Sequence, residues 1–549
     1  MRRNVRPPRR NGKFAKLPQL DDFHSDRRSN NAAAMHVSFP RFLRTGFRIC
    51  VCTAVLMATF SNHRIAAGSA ALRGSCAIVT NANDSGAGSL RDALACANAG
   101  ATITFDAATF STPQTITLSS GHLLITRTLV VNGPGSGLLT VSADNASRVM
   151  SITADAALYG LTLRDGAAGF EPGGALFVGA AGSLTLSDTK ILSSSASNGG
   201  GLYSASTSPL LVVDSTIRSN SATGDGGGFK ASGAVTVINS LVLTNSSIYA
   251  YGGGFYADGA VTLQNSQVLS NSASSKGGFS SGGAVAIIDS LIAYNLGNSG
   301  QGGFMASDAV VMTNSQVLSN STNSGTGAGF ETYSSATITG SVIAYNAANS
   351  NGGGFKAGGA VTLENSQVVS NTTSVVGGGF ESGGAVTARG SIIGYNRAAI
   401  NNGGFGASSA VVLIDSSVLS NTASNDGGFM TNGSAAMTNS VIALNVASSG
   451  NGGGFFAFGA VTLANSQVLS NSASGVYGGF NNFGTVDVTA STIAYNSASG
   501  YGGFWTTSAV SLIDSEVVSN TARSGDNGGF LSYGTVVISG TTIAKNVAN

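Results

Sequence analysis

From its middle to its last residues the chain returns to Gly-Gly-Phe about every 25 positions. The phenylalanines of this motif are Phe229, Phe255, Phe279, Phe304, Phe355, Phe380, Phe405, Phe429, Phe455, Phe480, Phe504 and Phe530. Phe330, after Gly327-Ala328-Gly329, fills the one remaining step, and Leu202, after Gly199-Gly200-Gly201, opens the series. Steps run from 24 to 27 residues, and 13 of the chain's 26 Phe stand in this single column. Asparagine keeps the same period at Asn220, Asn245, Asn271, Asn295, Asn320, Asn346, Asn371, Asn396, Asn421, Asn445, Asn471, Asn496, Asn520 and Asn546. Two residue types locked to one period of this length make each repeat one turn of a solenoid. The expected ladders include Phe229, Phe255, Phe355 and Phe380 in one column and Asn271, Asn295, Asn371 and Asn396 in the other. Stacked amides can hydrogen-bond along such a column and satisfy polar groups that would be costly to bury alone.

Within a repeat the apolar residues alternate with period two, as strands require. Phe355-Lys356-Ala357, Ala360-Val361-Thr362-Leu363 and Ser366-Gln367-Val368-Val369-Ser370-Asn371 are three such runs, separated by Gly, Ser, Asn and Thr. The residue before each ladder Asn alternates between small and large, as in Ser270, Tyr294, Ser319, Tyr345, Ser370 and Tyr395. Bulk in every second coil relieves crowding at a coil spacing of ~4.8 Å. A leucine-rich repeat is the competing architecture, but it needs a helical or 3₁₀ flank, and these repeats leave only short turns. The predicted fold is all-β: a right-handed parallel β-helix solenoid of about 25 residues per coil. Residues 199–549 form the regular repeats and 71–198 an N-terminal cap with irregular coils. Ser89-Leu90-Arg91-Asp92-Ala93-Leu94-Ala95-Cys96-Ala97 reads as a short capping helix with Ser89 as N-cap.

The first 70 residues read differently. Arg41, Arg44 and Arg48 precede an uncharged run, Ile49 to Phe60, and then Ala66-Ala67-Gly68-Ser69-Ala70. That order is the pattern of a cleaved secretory signal peptide, and the run is too short to span a bilayer, which takes ~20 residues. Residues 1–70 are therefore a basic leader and signal, with either Met1 or Met35 as the start. No transmembrane anchor is expected in the remainder. From residue 71 on, 14 basic and 22 acidic residues leave a net charge of −8 (14 − 22), so the formal +2 of the whole chain comes from the leader. A nucleic-acid partner is excluded on that balance. Beyond the leader Cys76 and Cys96 are the only cysteines, compatible with one disulfide in an oxidising compartment or with two free thiols. His122 is the only histidine there, so no metal-ligand spacing exists and neither metal nor cofactor is expected.

Cys76-Ala77-Ile78-Val79-Thr80, followed by Asp84-Ser85-Gly86-Ala87-Gly88-Ser89-Leu90-Arg91-Asp92-Ala93-Leu94, resembles the N-terminal signature of exported right-handed β-helix proteins of the pectin-lyase-like superfamily. Val368-Val369-Ser370-Asn371 with Gly378-Gly379-Phe380 is similar to the paired motifs of chlamydial polymorphic outer-membrane proteins, and Gly173-Gly174-Ala175-Leu176 matches their second motif. The resemblance covers about residues 76–549 and implies export and the β-helix fold. It says little about activity, because unrelated functions share this scaffold. Polymorphic outer-membrane proteins also carry a membrane barrel. Here the repeats run to Asn546, which suggests a released or partner-held protein, or a truncated reading frame.

Enzymes that resemble this fold need clustered acids, and beyond the leader no two acids are adjacent. Glu331, Lys356 and Glu381 share one outward column, expected to be a surface ion-pair ladder. Asp225, Asp426 and Asp526 stand beside glycine without the repeat of a calcium-binding β-roll. Thr236, Thr262, Thr362 and Thr462 do not continue into the unbroken row an ice-binding face needs. The last coils are aromatic: Phe456, Phe458, Phe483, Trp505 and Tyr533 are predicted to form an outward strip, with Tyr477 and Tyr501 at nearby turns. Flat rings suit stacking on sugars or burial against a protein. The expected role is structural or adhesive, secreted or at the cell surface, with a polysaccharide or a cell-surface glycan or protein as partner. The alternative is a β-helix polysaccharide lyase or glycoside hydrolase acting on acidic polysaccharides.

Overall fold

A computed structural model describes residues 76–525 and 527–549. The leader and signal segment, with its cysteines, and Asp526 lie outside the described residues. The described chain winds as a right-handed parallel β-solenoid of about 19 turns. At ~4.8 Å per turn it is on the order of 90 Å long.

One coil shows the plan. Phe355–Ala357, Val361–Glu364, Gln367–Val369 and Thr372–Thr373 are its strands. Each pairs in parallel with its counterpart one coil on: Phe355 with Phe380, Val361 with Val386, Gln367 with Ile392 and Thr372 with Arg397. Alternation predicts three extended runs, and the structure adds a fourth. The strand after the ladder Asn is only two residues long, too short for a period of two to register. In the earlier coils the second and third strands merge into continuous nine-residue strands, Ala156–Arg164 and Leu184–Leu192.

The interior is built of vertical columns, aliphatic ones such as those of Val361, Leu363 and Val368 beside the Phe, Asn and Ser columns. The Phe rings stack with centroids 4.6 to 4.9 Å apart and their planes within 11° of parallel. Each is completely buried up to Phe504, which hides roughly 2–3 kcal/mol of apolar side chain per coil. In the Asn column Asn371 Nδ2 donates to Ile343 O at 2.9 Å and to Asn396 Oδ1 at 3.1 Å. Its own Oδ1 accepts from both nitrogens of Asn346, N and Nδ2, at 3.0 Å. A serine column runs alongside: Ser341 N donates to Ser366 Oγ at 3.2 Å, and Ser366 Oγ donates to Glu364 O at 2.8 Å. The Gly pair before each Phe follows from close approach. A Cβ on Gly379 would meet the carbonyl oxygen of Gly404 in the next coil and, at 3.1 Å, the Asn396 amide.

Helix Leu90–Cys96 begins at Ser89, whose Oγ accepts from Asp92 N at 3.2 Å. Leu90, Ala93 and Leu94 turn into the core, so the helix covers strand ends that would otherwise face water. Cys96 at its end is bonded to Cys76, with Cα atoms 5.7 Å apart.

Candidate functional site

The residue after each stacked Phe lies on the outer side of the Phe strand, in register from coil to coil. Met430 pairs with Phe456, Phe456 with Asn481, and Asn481 with Trp505. Open water is not what this column faces. Ser280, Met305, Glu331 and Asn481 are all less than 9% exposed. The turn that precedes each Gly-Gly-Phe runs alongside the column, so the expected outward face is the floor of a groove. The turns vary in length and composition from coil to coil, which is why strand periodicity does not reveal them.

Toward the C-terminal coils the groove widens to a cavity of about 460 Å³. Its floor is Met430, Phe456, Asn481 and Phe483, and its wall is Asn401, Asn425, Asp426, Asn451 and Tyr477. The five aromatic residues of the predicted strip are brought together here. Phe456 lies 4.6 Å from Phe458 and 5.7 Å from Phe483, ring centre to ring centre. Phe483 meets Trp505 edge-on at 5.7 Å, and Trp505 meets Tyr533 at 6.2 Å. Tyr477 joins the cluster through Trp505 at 5.5 Å and stacks on Tyr501 at 5.7 Å. Phe458, Phe483 and Tyr533 remain 43 to 71% exposed, so the rings pack on one another and still present apolar faces to solvent.

Two carboxyls belong to this region. Asp426, 9% exposed, lines the cavity. No described residue donates a hydrogen bond to its carboxylate, and burial pushes the group up to about 7. Gly452, at φ +72°, sits over that carboxylate one coil on; a Cβ there would strike Asp426 Oδ1. Glu381 lies farther back along the same column, over Gly406. Burial raises it to about 7, against the opposing pull of the Asn402 amide, which donates to Oε1 at 3.3 Å, and of Lys356. Asn402 Oδ1 is buried with no partner.

The ion-pair ladder expected along Glu331, Lys356 and Glu381 is corrected to a single pair. Lys356 Nζ is 3.3 Å from Glu331 Oε1, and Glu331 is buried with hydrogen bonds from Gln301 and Thr326. These polar donors draw the lysine's partner into the wall, and Glu381 is left to Asn402. Near the helix a second cavity of about 370 Å³ is lined by Arg91, His122 and Arg127. Its cations are already engaged: Arg91 binds Asp84 and the carbonyls of Gly121 and His122, and Arg127 binds the Ala97 carbonyl. Among the described residues no group of three or more His, Cys, Asp and Glu could hold a metal ion, and no helix is long and apolar enough to cross a membrane.

Sequence reasoning locates the rings and misses the polar wall. Asn401, Asn425, Asp426 and Asn451 occupy three successive turns, a signal visible only once the turns are aligned coil against coil. The Tyr alternating with Ser before each ladder Asn also faces outward: Tyr294, Tyr345, Tyr395 and Tyr495 are 60 to 66% exposed. Comparison with protein-family models, curated proteins and solved structures finds no match.

Proposed function

We propose that this is an exported, glycan-binding β-helix protein with a structural or adhesive role, secreted or held at the cell surface after removal of its signal peptide. Among exported β-helix proteins its N-terminal signature supports a place near the pectin-lyase-like superfamily, and its repeats a likeness to polymorphic outer-membrane proteins. One observation carries the binding function: a continuous set of partly exposed rings, Phe456, Phe458, Phe483, Trp505 and Tyr533, borders a groove walled by side-chain amides. Sugars present flat C–H faces, which stack on such rings, and rims of hydroxyls, which amides both accept from and donate to. A rigid stack of coils holds these groups without an ordering penalty at binding.

Two carboxyls held near neutrality, Glu381 and Asp426, favour a second reading, a polysaccharide-cleaving enzyme. Incubating the protein with pectins and other acidic glycans, with and without Ca²⁺, tests that reading by chain cleavage. Binding is tested on a glycan array with the wild-type protein and the double variant Phe456→Ala, Trp505→Ala. Loss of at least tenfold in retention by the variant is expected, and equal retention by both proteins would remove the proposal.

A further inference from the structure

Asp426 is a buried acid with no hydrogen-bond or ion-pair partner among the described residues. An earlier coil shows how the same architecture satisfies such a group. There Asp225, one place earlier in its turn, holds the ammonium of Lys230 at 2.7 Å. The same ammonium stands 4.8 Å from the ring centre of Tyr256, the residue after the stacked Phe of the next coil. Lys276, a turn residue, shows the ring half of this arrangement alone, its Nζ 3.6 Å from the ring centre of Tyr251 in the preceding coil. A turn carboxylate and an aromatic ring one coil on therefore bracket a position suited to an ammonium ion, favoured by charge-assisted hydrogen bonding and by the ring quadrupole.

In the groove the same parts recur with one replacement. Asp426 supplies the carboxylate, Phe456 the ring one coil on, and Met430 stands after the stacked Phe429 where Lys230 follows Phe229. Tyr477 and Phe483 line the same cavity, and Gly452 keeps space open over the carboxylate. Met430 brings no charge, and no described cation lines the cavity, which leaves the position open to an ammonium of a ligand.

We propose that the groove selects glycans carrying a free amino group, an unacetylated 2-amino-2-deoxy sugar, whose ammonium sits between Asp426 and Phe456. This rests on the glycan-binding reading and names its ligand class. Neighbouring hydroxyls of the sugar meet Asn401, Asn425, Asn451 and Asn481, and its ring faces meet Phe483 and Trp505. An N-acetylated or neutral sugar offers Asp426 only neutral donors, which answer a desolvated carboxylate about half as well. Discrimination of at least about tenfold follows, equivalent to ~1.4 kcal/mol.

The test is calorimetric titration of the full protein with the tetramer of β-1,4-linked glucosamine, its fully N-acetylated counterpart and cellotetraose. Wild type should bind the amino tetramer at least tenfold more tightly than either neutral one. Asp426→Asn should bring the three affinities together. Met430→Lys, which supplies an internal ammonium and keeps the fold, should likewise abolish the preference. Phe456→Ala, Trp505→Ala should weaken all three. Equal affinity of wild type for all three tetramers overturns the amine seat and leaves glycan binding standing. A preference that survives both Asp426→Asn and Met430→Lys overturns the assignment of the seat to Asp426. Absence of binding to every tetramer, with a blank glycan array, overturns the glycan reading and this inference with it.

Discussion

Replacing Asn371 with alanine would leave Asn346 N without its acceptor and Ile343 O without its side-chain donor, both inside the solenoid, while Asn346 Nδ2 keeps only Val317 O. Each orphaned buried group costs about 1–3 kcal/mol. The expected loss is therefore roughly 2–6 kcal/mol, measurable as a lowered urea midpoint. Asn371→Asp should be worse, because its second oxygen would face the Ile343 carbonyl and its charge would be buried. The Phe column is more forgiving. Phe380 sits between Phe355 and Phe405 at 4.7 and 4.9 Å, and in the earlier coils the same column is filled by Leu202, Leu176, Met150 and Leu123. Phe380→Leu should cost less than about 1.5 kcal/mol, whereas Phe380→Ala, which opens a cavity, should cost about 3–5 kcal/mol. The difference is physical: a dispersion contact tolerates a change of shape, and a two-sided amide ladder tolerates no missing atom.

At the scale of the coil, each corner before a ladder Asn is left-handed. Ser370 and Tyr395 both have φ of 57°, and the same holds at Ser270, Tyr294, Ser319 and Tyr345. The handedness is set by the corner, so bulk at this position is tolerated and not required. Tyr carries a left-handed penalty of about 1–2 kcal/mol that glycine or asparagine avoids. Tyr395 is 60% exposed and its ring contributes little packing in return. Tyr395→Gly should leave stability unchanged or raise it by up to about 1 kcal/mol, read as a higher midpoint in thermal unfolding. The small–large alternation that sequence reads as relief of crowding thus falls on a solvent-facing edge. Strand alternation makes the strands legible, but the turns between them obey no period. The groove wall was hidden for that reason: Asp426 and the surrounding Asn residues look like ordinary turn formers until three coils are stacked.

For the whole molecule the buried acids set a pH dependence opposite to that of a salt-bridged carboxylate. Glu381 and Asp426 stand at about 7 in the fold, against ordinary values of 4.5 and 3.8. Between those limits the folded chain holds protons that the unfolded chain has released, so stability falls as pH rises from about 4 through 7. The loss is on the order of 3–4 kcal/mol per carboxyl at most. Asp84 acts the other way. Burial raises it, but the Arg91 guanidinium and the backbone N–H groups of Ser120 and Ser119 outweigh that and hold it well below the usual range. Its contribution is present above about pH 4 and is lost as the solution becomes more acidic. Thermal melts should therefore show greater stability near pH 5 than at pH 8. The double variant Glu381→Gln, Asp426→Asn should flatten the slope between them, and an unchanged slope would contradict the burial of these acids. Because each coil touches only its neighbours, local hydrogen exchange should resolve these effects to the coils that carry them.

The repeat period, the Phe and Asn columns, the strand pattern and the helix with its Ser89 cap could all be read from the residues in order. Each is a one-dimensional regularity that a solenoid converts directly into vertical neighbours. The serine column keeps the same period and was equally open to reading, whereas the two-residue fourth strand, the burial of the column after each Phe and the unanswered charge of Asp426 required the coils to be stacked. They depend on side chains some 25 residues apart meeting across a single turn of the helix, and on irregular turns whose path no periodicity encodes.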